Sequence, residues 1–302
     1  MISVLQLGTL DYGTALRLQE RLVALRKEGR IGDVVLLLEH TPVITLGRNA
    51  KAANILASPE LLSQRRVEVF DCDRGGDVTF HGPGQLVAYP IFDLRGFPSP
   101  DPHRGSLGVV EFMRCLEEVL IRTCAEFGVP AKRIPGLTGV WTGEDEPETG
   151  DGAHFSTEAK RAAPDALVRW RDRADEGVRT HMGVNGSSKR EAKIAALGVH
   201  ISRGVTSHGI ALNVSTDLSY FDLIVPCGIT SKPVTSMAEK LNRELPMTDV
   251  AHALSRNFGV VFNRQILWLD SLDALLGTNL GIPMKVPENL RKMHGKDESA
   301  LA

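Results

Sequence analysis

The sequence predicts an α+β domain built on a mixed sheet, and three observations lead there. Short apolar bursts rich in Val, Ile and Leu crowd the chain, three runs keep a helical period, and strands outnumber helices. Strand and helix never settle into the strict alternation that a regular strand–helix–strand winding needs. At 302 residues the length allows one large domain or two small ones at about 150 residues each. We read one domain over 1–280, an insertion at 144–190 and a frayed tail at 281–302.

The elements follow in order. Residues 14–28 place Ala15, Leu18, Leu22 and Leu25 at steps of three and four, one face of a helix. Val34–Leu38 and Val43–Leu46 are short and apolar, split by Glu39, His40, Thr41 and Pro42, and read as buried strands. Arg66–Asp71 and Leu86–Phe92 read as two more. Between them, Arg74–Gln85 packs four glycines and a proline into twelve residues. That segment is either a tight hairpin turning at Gly82-Pro83-Gly84 or a ligand loop whose N–H groups cradle an anion or acyl carbonyl. Spacing leaves both open.

The clearest helix is predicted over Leu107–Phe127, with Phe112, Leu116, Val119 and Leu120 in period and Gly128 as its stop. Cys115 and Cys124 fall on it and read as small buried hydrophobes. Residues 144–190 mix acids, bases and glycines without an apolar period, which predicts a solvated insertion with at most a short helix around Pro164–Asp175. Lys193–Ser202 and Ile210–Val214 are strand-like. Thr248–Phe258 reads as a helix capped by Thr248, with Asp249 in its positive first turn.

Composition excludes several classes of function. The 35 basic and 37 acidic residues nearly cancel to −2, without the basic excess of a general nucleic-acid binder. With 24% charged and 42% apolar residues the chain is of ordinary globular type. The longest apolar run, Val34–Leu38, is far short of the roughly 18 residues that span a bilayer. No cation precedes Arg17, so no secretory leader is expected. Four cysteines, at 72, 115, 124 and 227, form no CxxC pair. They predict neither a zinc ribbon nor a redox pair, and point to a reducing, cytoplasmic compartment.

A few residues stand out chemically. The segment GPGQ lacks the Lys-Ser/Thr pair of a phosphate loop, and GGDVTFHG does not fit the dinucleotide fingerprint. Arg74 and His81 are polar groups flanking a potential cleft; on their own they identify no reaction. Cys227 lies between Pro226 and Gly228, where a helix interior is excluded and a thiol can be presented on a turn. A free thiol is only about 3% thiolate at neutral pH, so a nearby cation would matter. Cys72 sits among Asp71, Asp73 and Asp77, a setting that disfavours the thiolate.

Four segments in sequence carry a resemblance: RGGDVTFHGPGQLVAYPIFDL at 74–94, GVW at 139–141, KIAALGVHISRGVTSHGIALNV at 193–214 and YFDLIVPCGI at 220–229. Together with TPVITLGR at 41–48, they make roughly residues 5–262, apart from the insertion, resemble the lipoyl(octanoyl) transferase family. The resemblance implies a fold shared with biotin and lipoate ligases: a central mixed sheet flanked by helices, plus a smaller second sheet. It implies octanoyl transfer from acyl carrier protein to a lysine of lipoyl domains and the glycine-cleavage H protein, with no cofactor and no metal. By motif, Cys227 is the acyl-thioester nucleophile and Lys193 its partner. Also by motif, the acyl-substrate contacts are Arg74, Gly75, Gly76, Asp77, Val78, Thr79, Phe80 and His81, then Ala196, Leu197 and Gly198, then Gly209, Ile210 and Ala211. One departure is the stretch of about 50 residues between GVW and KIAALG, where the family usually has a short turn. Two alternatives remain: an ATP-dependent lipoate or biotin ligase on the same fold, and a catalytically silent module that docks acyl carrier protein. A monomer that binds neither nucleic acid nor membrane is the default expectation.

Overall fold

A computed structural model of the chain describes residues 1–143, 191–228 and 232–276. The first strand, β1 (Ile2–Leu10), leads into helix α1 (Tyr12–Lys27), which starts where the Asp11 carboxylate accepts the Thr14 N–H. Strands β2 (Asp33–His40) and β3 (Val43–Leu46) follow as expected. Next come a short helix α2 (Pro59–Gln64), strand β4 (Glu68–Asp71), and strands β5 (Val78–His81) and β6 (Gln85–Ile91). Helix α3 (Val109–Glu126) precedes β7 (Lys132–Ile134), β8 (Leu137–Thr142), β9 (Ala192–Ser202) and β10 (Val205–Asn213). The described chain closes with α4 (Met237–Leu241), α5 (Met247–Phe262), β11 (Ile266–Trp268) and α6 (Leu272–Leu276).

Eight strands form a large mixed sheet in the order β11-β1-β2-β6-β10-β9-β8-β7, and β4-β3-β5 form a smaller one. In the large sheet β1 runs parallel to β2 and β11, and the other pairings are antiparallel. The strand period of two explains its two-sided core. Along β2, Val35 and Leu37 face the layer containing α3 and α5, whereas Val34, Leu36 and Leu38 face α1. The mixed-sheet α+β expectation therefore holds, with helices on both faces.

Two local expectations are corrected. Gly82-Pro83-Gly84 does not turn a hairpin, because β5 pairs with β3 in the small sheet while β6 pairs with β2 and β10 in the large one. The turn carries the chain from one sheet to the other, and Glu39 Oε2 accepts the Gly84 N–H at 2.7 Å. Helix α5 begins at Met247 behind Pro246, whose ψ of 124° is extended, so Thr248 sits inside the first turn rather than capping it. Residues 144–190 and 281–302 lie outside the described residues, but the strands flanking the first stretch pair as far as Thr142 with Ala192.

Phe92, fully buried, packs against Phe97, Phe112, Phe258 and Phe262 at ring separations of 5.2–6.2 Å and ties the sheet to α3 and α5. Phe92→Ala is expected to cost about 3–5 kcal/mol, the usual range for a buried aromatic truncation. Urea unfolding measures it; a loss under about 1 kcal/mol would mean that the neighbouring rings close the cavity.

Candidate active site

A cleft of about 470 Å³, its open mouth included, lies between the two sheets on the α1 side of the large one. Residues of the glycine-rich segment line it: Arg74, Gly76, Asp77, Thr79 and His81. Across from them are Ala196, Leu197 and Gly198 of β9, with Gly209, Ile210 and Ala211 of β10. The antiparallel register sets Gly198 opposite Gly209 and Ala196 opposite Ala211, so two sequence-distant motifs meet by strand pairing. Small side chains there let the 74–76 loop lie on the sheet. A Cβ on Gly198 would come within 2.7 Å of the Gly75 carbonyl oxygen, a distance real Cβ atoms do not adopt.

Three of the motif residues do not line the cleft. Val78 and Phe80 alternate with Thr79 along β5, so they face the small-sheet core beside Ile44, Leu62 and Leu223. Gly75 holds the loop down instead, donating its N–H to the Val199 carbonyl at 3.0 Å. The cleft also contains Tyr12, Val87, Tyr89 and His208, which motif reading did not single out.

The buried guanidinium of Arg74 fastens this wall. It donates to Thr45 Oγ1 from Nε at 3.2 Å and from Nη2 at 2.9 Å, and to the Thr45 carbonyl at 2.8 Å. Beside it stand three histidines whose basicity burial lowers. His81 Nδ1 lies 2.7 Å from Gln85 Oε1, while Gln85 Nε2 donates to the Phe80 carbonyl and to Asn213 Oδ1. Those two donations orient the amide, so Nδ1 carries the imidazole proton and Nε2 is the basic nitrogen. Burial, reinforced by the repulsion His40 would exert if protonated and by the Arg74 guanidinium, pushes its pKa down to about 3. His40 donates from Nδ1 to the Leu10 carbonyl and accepts from the Tyr89 hydroxyl at Nε2, and burial takes its pKa down to about 4. His208 Nε2 donates to Asp73 Oδ1 at 2.6 Å; burial outweighs that carboxylate and lowers the imidazole pKa.

Lys193 sits at the edge of this region on β9. Its side chain is buried, and Nζ lies 5.2 Å from the centroid of the Trp141 ring, a cation–π distance. Its backbone clamps the chain beyond the cysteine motif: the Lys193 N–H donates to the Pro233 carbonyl at 2.8 Å, and the Thr235 N–H to the Lys193 carbonyl at 2.9 Å. Pro226–Gly228 form a single 3-10 turn, its approach fixed by the Val225 N–H donating to the Asn54 carbonyl at 2.7 Å. Asn54 Nδ2 in turn donates to Asp77 Oδ2 at 2.6 Å. The cysteine turn is thus anchored beside the glycine-rich segment. The Cys227 side chain lies outside the described residues.

The other thiols have settings unlike an active nucleophile. Burial pushes Cys124 up to about 12 and Cys115 up to about 11. Cys72 donates its S–H to the Leu46 carbonyl at 3.3 Å.

The family model of the lipoyl protein ligase A/B catalytic domain matches residues 11–259. The chain belongs to this family. An octanoyltransferase of Koribacter versatilis is 52% identical over 297 residues, 98% of each chain, so its alignment spans the stretch between β8 and β9. An octanoyltransferase of Acidobacterium capsulatum is 48% identical, covering 91% of this chain and 96% of its own. Among solved structures, a bipartite lipoate protein ligase from Thermoplasma acidophilum superposes with a TM-score of 0.58 at 15% identity, over 92% of this chain and 90% of its own. That likeness carries the fold, a lipoate-ligase one. No helix among the described residues is long and apolar enough to cross a membrane.

The neutral histidines predict acid sensitivity with a definite sign. Unfolding returns each to an ordinary pKa near 6.5, so below that pH the unfolded state binds more protons and stability falls as pH falls. The window runs from about 6.5 down to the folded values of about 4 for His40 and about 3 for His81. Each contributes a slope of at most about 1.4 kcal/mol per pH unit. Urea unfolding at pH 7 and pH 5 measures this, and His40→Gln should flatten the dependence. An unchanged slope in that variant would mean that His40 is not the group titrating.

Proposed function

We infer that the chain is an octanoyltransferase of protein lipoylation. The observation that carries this is near full-length identity of 52% and 48% to two octanoyltransferases. In our reading the donor is octanoyl acyl carrier protein, the acceptors are lysines of lipoyl domains and the glycine-cleavage H protein, and the enzyme works as a cytoplasmic monomer. The octanoyl chain occupies the cleft, whose apolar part comes from Val87, Leu197, Ile210 and Ala211.

The chemistry follows from sulfur-to-nitrogen transfer. A thioester is less resonance-stabilised than an amide, so the reaction runs downhill without ATP. The Cys227 thiolate attacks the carrier thioester carbonyl, and the carrier thiolate leaves with a proton from the Lys193 ammonium. A covalent intermediate splits one transfer into two easier ones. Only about 0.04% of an ordinary lysine is neutral at pH 7. The acceptor ammonium gives its first proton to solvent; as the resulting amine forms the C–N bond, neutral Lys193 takes the second and the C–S bond breaks, which restores the Lys193 ammonium and the Cys227 thiolate. Burial of Lys193 and its backbone clamp on the segment after the cysteine turn support this pairing. For the developing oxyanion the Gly228 N–H is already engaged with the Val225 carbonyl, which favours donors near Gly76 or Gly198.

Incubation with octanoyl carrier protein and no ATP should add about 126 Da to the intact mass, the acyl group replacing the thiol proton. Cys227→Ser should abolish the adduct and nearly all transfer, and Cys115→Ala should not. Lys193→Arg should preserve much of the stabilisation of the Cys227 thiolate but lose octanoyl transfer, because Arg does not give up its proton. Full activity of Cys227→Ser ends the covalent mechanism, and turnover strictly dependent on ATP favours a ligase.

We also propose that 144–190 is a solvated insertion outside the catalytic core. Replacing 145–190 by a short Gly-containing turn is expected to leave Tm and the acyl adduct little changed. Insoluble protein, or lost acylation in a folded variant, would place the segment against the core or the site.

A further inference from the structure

Glu117 is a carboxylate on α3, nearly inaccessible at 1% exposure, that the mechanism above does not use. A buried carboxylate is costly unless paired. Here Oε2 accepts from Arg114 Nη1 at 2.7 Å and from Arg133 Nε at 3.1 Å. Arg133 also donates to Glu118 Oε2 and to the Arg114 carbonyl, so the cluster fixes β7 to α3. The remaining oxygen, Oε1, is turned to the backbone N–H of Gly139 at 3.4 Å.

Gly139 is not an ordinary strand residue. Its φ is +131°, and the β8–β9 register shifts between Val140 and Trp141 beside it. A Cβ placed on Gly139 would meet Lys193 Cε at 2.6 Å and Nζ at 3.3 Å. The end of the Lys193 side chain therefore lies in the space that the missing side chain leaves, with the Trp141 ring on the same strand as its neighbour. The register pairs Trp141 with Lys193, so ring and ammonium project from one face of the sheet. Where the irregular backbone at 139 sits decides where the ammonium can sit.

We propose that Gly139 and Glu117 are positioning residues for Lys193: the glycine provides the space for the lysine tip, and the buried carboxylate holds that backbone in place. The proposal rests on the reading of Lys193 as the proton carrier. Proton transfer needs the amine within about 2.6–3.2 Å of its partner, and a misplacement near 1 Å costs on the order of 10²-fold.

The test is a double-mutant cycle with single-turnover acylation and transfer, using octanoyl carrier protein and a lipoyl domain. Gly139→Ala is expected to lower transfer on the order of 10²-fold with little change in KM for the carrier. It should also move the pH profile of Cys227 alkylation in the direction that Lys193→Ala moves it. In a Lys193→Ala background Gly139→Ala should add no further loss, since the group it displaces is gone. Should Gly139→Ala fail to fold at that positive φ, Glu117→Gln carries the test. Glutamine has one acceptor oxygen and cannot serve both the arginines and the Gly139 N–H. Its expected loss of about tenfold should likewise vanish in the Lys193→Ala background. Equal fractional losses in both backgrounds, or no loss at all in Glu117→Gln, would overturn the positioning role. Full transfer by Lys193→Ala alone would instead overturn the reading beneath it.

Discussion

The cleft exists because a guanidinium is buried where two sheets meet. Arg74 reaches back to Thr45 on β3, and its own carbonyl accepts the Arg48 N–H, so the glycine-rich loop is tied to the small sheet twice. The next residue, Gly75, ties the same loop to Val199 on the large sheet. Neutral partners satisfy a cation only if several converge, and here one threonine contributes both its hydroxyl and its carbonyl. The loop that forms one wall of the cleft is therefore fastened to both sheets.

The histidines around Arg74 have their basicity lowered by burial and their ring nitrogens fixed by hydrogen bonds. His40, His81 and His208 each give one ring proton to a fixed acceptor, and for His40 and His81, whose acceptors are neutral, this decides the tautomer without a positive charge. Tyr89 completes the first of these pairs by donating its hydroxyl. The result is a wall with oriented dipoles, the Arg74 cation and the Asp77 carboxylate. Such a wall suits a neutral thioester whose charge develops only during reaction, because dipoles fixed in advance need not reorganise.

Much of this was legible in the sequence, and what escaped has identifiable physical reasons. Helices α1 and α3 follow from the helical period of their apolar residues, and strands β2, β3, β6 and β9 from short apolar runs. Strand β1 was missed: Ile2 and Val4 face one core while Leu5 and Leu7 face the other, so it shows no alternation. Helix α2 is only six residues long, though Ser58 as its cap and Pro59 in its first turn were readable signals. The Gly82–Gly84 turn looked like a hairpin because nothing local tells a hairpin from a crossing between sheets. In the site, glycine motifs marked the loop and the β9–β10 floor. Tyr89 and His208 were hidden in strands that read as core and as motif spacing, and Glu117 acts through a backbone N–H that leaves no mark in sequence.

The parallel pairing of β1 with β11 also has a consequence for biosynthesis. Ile2–Val4 are made well before Ile266–Trp268, the partner of their outer edge. At about 5–20 residues per second, that gap lasts roughly 13–50 s. Throughout it, a hydrophobic strand presents unpaired N–H and C=O groups to any other nascent chain. The large sheet can be sealed at that edge only after Trp268 has been made, so β1 stays an open edge while the strands between them assemble.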